Sequence, residues 1–302
     1  MKRFWGAILV TASGVLFGVE AVLTTFATDQ GMPLGMFLVV RSIASAAALA
    51  MLARITKKKL LVQRSLRRKA CFYMLLGPVM TNVLLAVSYR FIPTGAAGAI
   101  HFRYPVLVML GGLLFFREKP PKIAVACLAA VIAGLILFFE PGSRLQMKGI
   151  IPALLSSYTW SFYILSVAKS DLRETDSHQL VFLAVMLEAV IGMAMALFTS
   201  TEDGWRMNVP ASAWAAGVCV GFFVAIMALI FFQEGVRCIG PDAASVLSVF
   251  EPVSTLLLSW AFLKEALTER QLMACTVIIL AVLALMISEF IRGKKLKLKG
   301  ER

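Results

Sequence analysis

The chain has 302 residues, of which 60% are hydrophobic and only 16% charged, and its mean hydropathy is +0.84. Soluble domains run nearer about 45–50% apolar and about 25% charged, so this composition excludes a soluble domain and indicates a polytopic membrane protein. The net charge of +13 does not indicate a nucleic-acid partner, because Lys and Arg gather in short loops and at the tail, as membrane topology requires.

About 20 apolar residues cross a bilayer as a helix, and ten segments qualify. The first, Trp5–Ala27, follows Met1-Lys2-Arg3 in the manner of a signal peptide. It is long enough to span, however, and Glu20 interrupts what would be the signal core, so a retained helix is expected. Pro33–Ala53, Ala70–Tyr89, Thr94–Phe116 and Ile123–Phe139 complete a first group of five. Lys148–Ala168, Gln179–Thr199, Ser212–Phe232, Asp242–Leu263 and Arg270–Phe290 form a second. A basic tail, 292–302, closes the chain. The connections are too short to hold a soluble domain.

The two groups repeat one another. Ala97-Gly-Ala-Ile-His-Phe-Arg-Tyr-Pro105, with an apolar run to Arg117-Glu118, returns as Ala244-Ser-Val-Leu-Ser-Val-Phe-Glu-Pro252, with a run to Lys264-Glu265. Pro105 and Pro252 are 147 residues apart, as are Glu118 and Glu265. Both prolines are expected to break a membrane helix near its middle. Repeats over 1–142 and 143–291 follow. Five helices is an odd number, so the second copy enters the membrane from the opposite side and the pair is inverted.

Charge placement orients the chain. With the amino terminus inside, 22 Lys and Arg fall on the inner side and 6 on the outer, the latter including Arg144 and Arg206. Both termini are therefore expected in the cytoplasm of a cell whose inner membrane holds the protein.

Ala-Ala near the start of the fourth helix, a mid-helix Pro, a closing Glu and a following Gly/Ala-rich helix resemble the EamA domain of the drug/metabolite transporter superfamily. The match occurs twice and covers nearly the whole chain. The resemblance implies a ten-helix carrier of small organic metabolites, often an exporter.

Five ionisable residues lie near span centres: Glu20, Arg41, Arg103, Glu188 and Glu251. A charge at that depth costs about 2.5–3.5 kcal/mol on insertion scales, so it is expected to face a cavity or a partner. Arg103 and Glu251 sit just before the prolines, at equivalent depth, and are expected either to contact substrate or gate, or to form a fixed ion pair. Tyr104 is the repeat counterpart of Glu251. Glu20 resembles the first-helix acid of small multidrug members, which exchanges protons for substrate; the alternative is a structural partner for Arg41. Glu188 stands on the repeat equivalent of the helix carrying Arg41, suiting either a zwitterionic or polar substrate or a cross-link. His101, one turn before Pro105, reads equally as a packing or a titrating residue. Trp160 and Tyr163, mid-span on the sixth helix with Tyr158 and Phe162, are candidates to stack on substrate, and Asn82 to hydrogen-bond it. Gly14-x-x-x-Gly18 and Gly217-x-x-x-Gly221 allow close helix approach or a homodimer.

The five cysteines show no paired or metal-like spacing, and neither does His101 or His178, so no metal or cofactor is expected. The reading is an all-α carrier with a cavity between the first, third, fourth, sixth, eighth and ninth helices. Its partners would be the lipid bilayer, a small-molecule substrate and, if coupled, protons. A channel would need a selectivity filter or a ring of like charges, an enzyme a polar catalytic cluster; neither pattern is visible, and a non-catalytic membrane scaffold is the remaining alternative.

Overall fold

The computed structural model describes residues 2–137, 146–198 and 208–300. Phe139 and Thr199, the expected ends of the fifth and seventh spans, lie outside them. So do Arg144, Arg206 and Arg302, and the expected boundary between the repeats at 142–143. The described residues form ten membrane helices: α1 (Lys2–Asp29), α2 (Leu34–Thr56), α3 (Arg64–Tyr89), α4 (Thr94–Phe116), α5 (Lys122–Ile136), α6 (Met147–Lys169), α7 (Ser177–Phe198), α8 (Ala211–Ile239), α9 (Pro241–Leu263) and α10 (Glu269–Gly300). Nine are long and apolar enough to span, and α5 is the shorter tenth. Helix α10 runs on through the basic tail to Gly300 rather than stopping at Phe290. Its Lys and Leu residues are good helix formers and no proline interrupts them.

The inverted repeat is visible in the packing. Helix α1 lies against α8 and α9, and its counterpart α6 lies against α3 and α4. Helix α2 crosses α7, and α5 pairs with α10 at the periphery. Each of these contacts in the first half of the molecule has its mirror in the second.

The same irregularities recur in both halves. Helix α4 is interrupted at Phe102–Arg103 and α9 at Ser248–Val249. Pro105 and Pro252 explain the interruptions, since each lacks the N–H that would reach the carbonyl four residues back, His101 or Ser248. The backbone tightens there into shorter bonds, Val106 N to Arg103 O at 3.1 Å and Glu251 N to Ser248 O at 2.9 Å. Helix α3 is kinked within Leu75–Val79, at non-helical Gly77 before Pro78, and α8 widens into a π turn at the corresponding Val220–Val224. Arg117 and Lys264 both adopt left-handed backbone, φ 54° and 57°, and cap α4 and α9. The Glu118 and Glu265 amides then bond back to the Gly112 and Ser259 carbonyls, closing each last turn.

Small residues set the crossings. A Cβ on Gly18 would stand 2.1 Å from the Ser254 hydroxyl of α9, and one on Gly221 would stand 2.0 Å from the Arg41 carbonyl of α2. Both Gly-x-x-x-Gly pairs thus face helices of the same chain. Because the Gly221 neighbour is backbone, neither helix can yield without moving its side chains. We expect Gly221→Ala to destabilise the protein by about 1–3 kcal/mol through overpacking. Gly98→Ala, whose new methyl would lie at an ordinary 3.7 Å from Pro252, should leave the melting temperature in detergent nearly unchanged. Equal melting temperatures for the two variants would mean that α2 and α8 are not in backbone contact.

Candidate functional site

The helix breaks face a narrow cavity of about 440 Å³, counting space open to solvent. Helix α1 contributes Phe17, Glu20 and Thr24, α3 contributes Asn82 and Tyr89, and α2 contributes Arg41. His101, Trp160 and Glu251 enter from α4, α6 and α9. A deeper chamber shares Glu20, Arg41, Asn82 and Trp160 and adds Glu188 of α7. The eighth helix lines only this deeper chamber, through Ala225 and Leu229. Helices α2 and α7 were absent from the expected cavity and enter it through their charges.

Arg41 is the centre of the site. Its guanidinium bonds to the Glu20 carboxylate on one side and reaches Glu188 at 3.0 Å on the other. All three side chains are buried. Arg41 and Glu188 are 147 residues apart, the repeat interval, so they are equivalent positions of the two halves meeting at the pseudo-two-fold axis. A guanidinium offers five fixed donors, which lets one base hold two carboxylates.

Arg103 does not pair with Glu251. Its Nε donates to Ser157 Oγ at 2.8 Å, its Nη2 donates to the Leu154 carbonyl at 3.3 Å, and its guanidinium lies 4.5 Å over the Tyr158 ring. Depth along the two helices matches, but the break in α4 turns Arg103 toward α6 and away from the cavity lining. Tyr158 is exposed on the lipid side. Glu251, by contrast, is buried on the cavity wall and has no hydrogen-bond or ionic partner among the described residues.

The remaining candidates separate. His101 Nδ1 lies 2.8 Å from Ser156 Oγ, and Ser156 donates its only hydroxyl proton to the Ala153 carbonyl at 2.7 Å. The imidazole must therefore donate from Nδ1, leaving Nε2 as the free nitrogen. Tyr104 and Tyr163 are fully buried and lie off the lining. Tyr163 packs on Trp160, with ring centroids 4.9 Å apart, and its hydroxyl accepts from Gln233 at 2.7 Å. Tyr104 packs on His101 at 5.0 Å. The Tyr104 hydroxyl lies between Ser248 and the Trp160 indole N–H, which turns that N–H away from the cavity. Asn82 and Trp160 do line the cavity. Phe17, Thr24 and Tyr89 were not singled out from the sequence. The i, i+3, i+7 spacing of Phe17, Glu20 and Thr24, and of Asn82, Leu85 and Tyr89, is the signal that places each set on one helix face.

The EamA-like transporter family matches residues 4–140 and again residues 147–287. The chain belongs to that family. Among its relatives is the uncharacterized transporter YyaM of Bacillus subtilis, 21% identical over 227 residues that cover 72% of this chain and 73% of YyaM. Another is the uncharacterized transporter sll1319 of Synechocystis sp., 22% identical over 196 residues covering 63% of this chain and 58% of that protein. One protein of known crystal structure shares the fold with a TM-score of 0.74 at 17% identity, covering 94% of this chain and 98% of that one. This EamA-like protein is thus a membrane transporter.

The transporter's two faces differ. On the face that holds the amino terminus, ion pairs join the halves: Lys58 to Asp176 at 3.0 Å, Lys69 to Asp171 at 2.8 Å, and Lys169 to Glu118. On the opposite face no ion pair joins them among the described residues. A vestibule lies there instead, lined by Thr25, Asp29, Thr94 and Glu265, and Tyr89 is the wall it shares with the central cavity. The cavity is therefore closed on the amino-terminal face and approaches the other.

Two outcomes follow from this geometry. Arg41→Met should strand two buried carboxylates and cost about 3–5 kcal/mol, read as lost monodisperse protein, whereas Arg41→Met with Glu20→Gln and Glu188→Gln should recover yield. Arg103→Ala and Glu251→Ala should lose stability additively, because the two residues do not touch; a coupling above about 0.5 kcal/mol would contradict the observed contacts.

The latch has its own pH signature. Burial pulls the Asp176 carboxyl upward, but the His178 amide, the His178 ring and Lys58 outweigh it and hold the group down at about 2, below its ordinary 3.8. The folded value lies below the unfolded one, so its contribution is complete above about pH 5 and fades as pH falls toward the folded value. The thermal advantage of the wild type over Asp176→Asn should accordingly narrow between about pH 5 and about pH 3. An advantage independent of pH would show that Asp176 does not hold the latch as a carboxylate.

Proposed function

We propose that this EamA-like protein is a secondary transporter that carries a small organic solute across the inner membrane of the cell by alternating access. The observation that carries the reading is a buried, charged cavity between inverted halves, latched on one face and approaching the other. Inverted repeats can exchange conformations, so the same cavity faces each side in turn. The 22 against 6 split of Lys and Arg supports an amino-terminal face in the cytoplasm. On that assignment the latch is the cytoplasmic gate and Tyr89 guards the outer path; outward net movement is proposed by likeness to the family alone.

Protons are the proposed coupling ion. Glu20 is engaged by Arg41, which supports its reading as a structural partner. Glu251, buried and without a base, is the better proton carrier, since nothing but a proton or a ligand can neutralise it.

Purified protein in liposomes, supplied with amines, amino acids and nucleosides, tests the reading. Saturable flux with acceleration by trans substrate is expected, and unitary conductance would replace the transporter with a channel. Glu251→Gln should abolish accumulation driven by a pH gradient. Undiminished accumulation in that variant would remove Glu251 from the coupling role.

A further inference from the structure

We propose that the central cavity selects a small organic ammonium ion, an amine bearing an apolar body and no carboxylate, with Glu251 as its counter-charge. The inference rests on the transporter reading and names its substrate class.

The charges on the wall decide the sign of the ligand. Arg41 is the base that faces the cavity, and both sides of its guanidinium are engaged by Glu20 and Glu188. The other intramembrane base, Arg103, is turned to Ser157, the Leu154 carbonyl and the Tyr158 ring. Among the described residues of the lining no Lys or Arg is left to receive a ligand carboxylate or phosphate, and His101, which donates from Nδ1 to Ser156, presents Nε2 as an acceptor. Three intramembrane acids face one engaged base, so the cavity favours a cation and opposes an anion. A zwitterionic amino acid would bring its carboxylate into this field without a partner, and an unpaired buried charge is strongly disfavoured.

The unpartnered acid says where the ligand goes. Glu251 is 7% exposed and Trp160 4% exposed, and both line the cavity. The Glu251 carboxylate has no hydrogen-bond or ionic partner among the described residues, while the Trp160 Nε1–H is turned to the Tyr104 hydroxyl and away from the cavity. Buried polar groups are ordinarily satisfied, so a carboxylate left open on a cavity wall marks a ligand site. The rest of that wall is aromatic. Phe17 meets Trp160 edge-on at 5.6 Å, and Tyr89 closes the outer end. Aromatic faces attract cations and cover apolar bodies, which matches an ammonium group on a hydrocarbon frame.

Four probes of one shape and different charge test the assignment at pH 7: 2-phenylethylamine, 2-phenylethanol, phenylalanine and 3-phenylpropionate. Tetraethylammonium and spermidine extend the cationic set. Binding to the purified full-length protein is read by calorimetry. At least one cation should bind, and 2-phenylethylamine should bind at least tenfold tighter than the alcohol, the amino acid or the acid. Glu251→Gln should erase that preference while keeping the wild-type elution profile. Glu251→Asp should retain it, and Arg103→Gln should leave it unchanged. Phenylalanine or phenylpropionate binding as tightly as the amine would overturn the proposal. So would an amine preference that survives Glu251→Gln, or failure of every cation to bind. The two readings separate in liposomes: flux of a neutral or acidic solute without amine binding sinks the substrate class alone. Amine binding without flux sinks the transporter alone.

Discussion

One guanidinium in the middle of the membrane, shared by two carboxylates, fixes the arrangement on which the rest depends. Arg41 sits where the halves meet, bridging α1 and α7 from α2. An intramembrane charge is costly without a counter-charge, so the pairing of these three side chains ties α1, α2 and α7 together in this conformation. The bridge aligns Glu20 with the cavity, closes the deeper chamber around Glu188, and removes the base that would otherwise neutralise Glu251. The chemistry of the cavity is thus set by what Arg41 does not touch. A buried pair of this kind is poor evidence of stability in itself; its consequence here is to leave one acid over.

The molecule is symmetric in backbone and asymmetric in chemistry. Mid-helix breaks, irregular turns in α3 and α8, and left-handed caps recur at matching places in both halves. The side chains at those places do not match. Arg41 faces its own equivalent, Glu188, and Tyr104 occupies the position of Glu251. The first arrangement makes the axis self-neutralising; the second supplies a single acid where symmetry would have given two. The ion pairs of the amino-terminal face join helix ends to loops, and exposed pairs of this type are individually weak. A latch made of several weak pairs can open without a large barrier.

Features that are one-dimensional patterns were legible in the sequence. The ten spans, the interval of 147 and the inverted order follow from hydropathy and spacing alone. Position along each helix was legible too, because rise per residue is constant. Direction around the helix was not. Arg103 and Glu251 share a depth, yet a break placed just before Pro105 redirects the arginine toward α6, and no spacing rule reports that rotation. Tyr163 failed for the same reason: it is central on α6 but turned under Trp160. Arg41 was readable as a partner for Glu20 because neighbouring helices joined by a short turn must pack closely. That it would hold Glu188 as well depended on the crossing of α2 and α7, which a sequence does not display.

Helix α3 is kinked within Leu75–Val79, where Gly77 leaves helical backbone at φ −92° and ψ −108° just before Pro78. Proline disfavours helical backbone in the residue before it and supplies no N–H for the carbonyl four residues back, so the bend falls there. Arg64 to Met74 follow one axis, and Asn82, Leu85 and Tyr89 another. A straight helix would have aimed only one of those stretches correctly. With the kink, the lower half keeps its lysine on the latch while the upper half presents its amide and phenol to the cavity. A single helix thereby serves the gate and the binding chamber in two different directions.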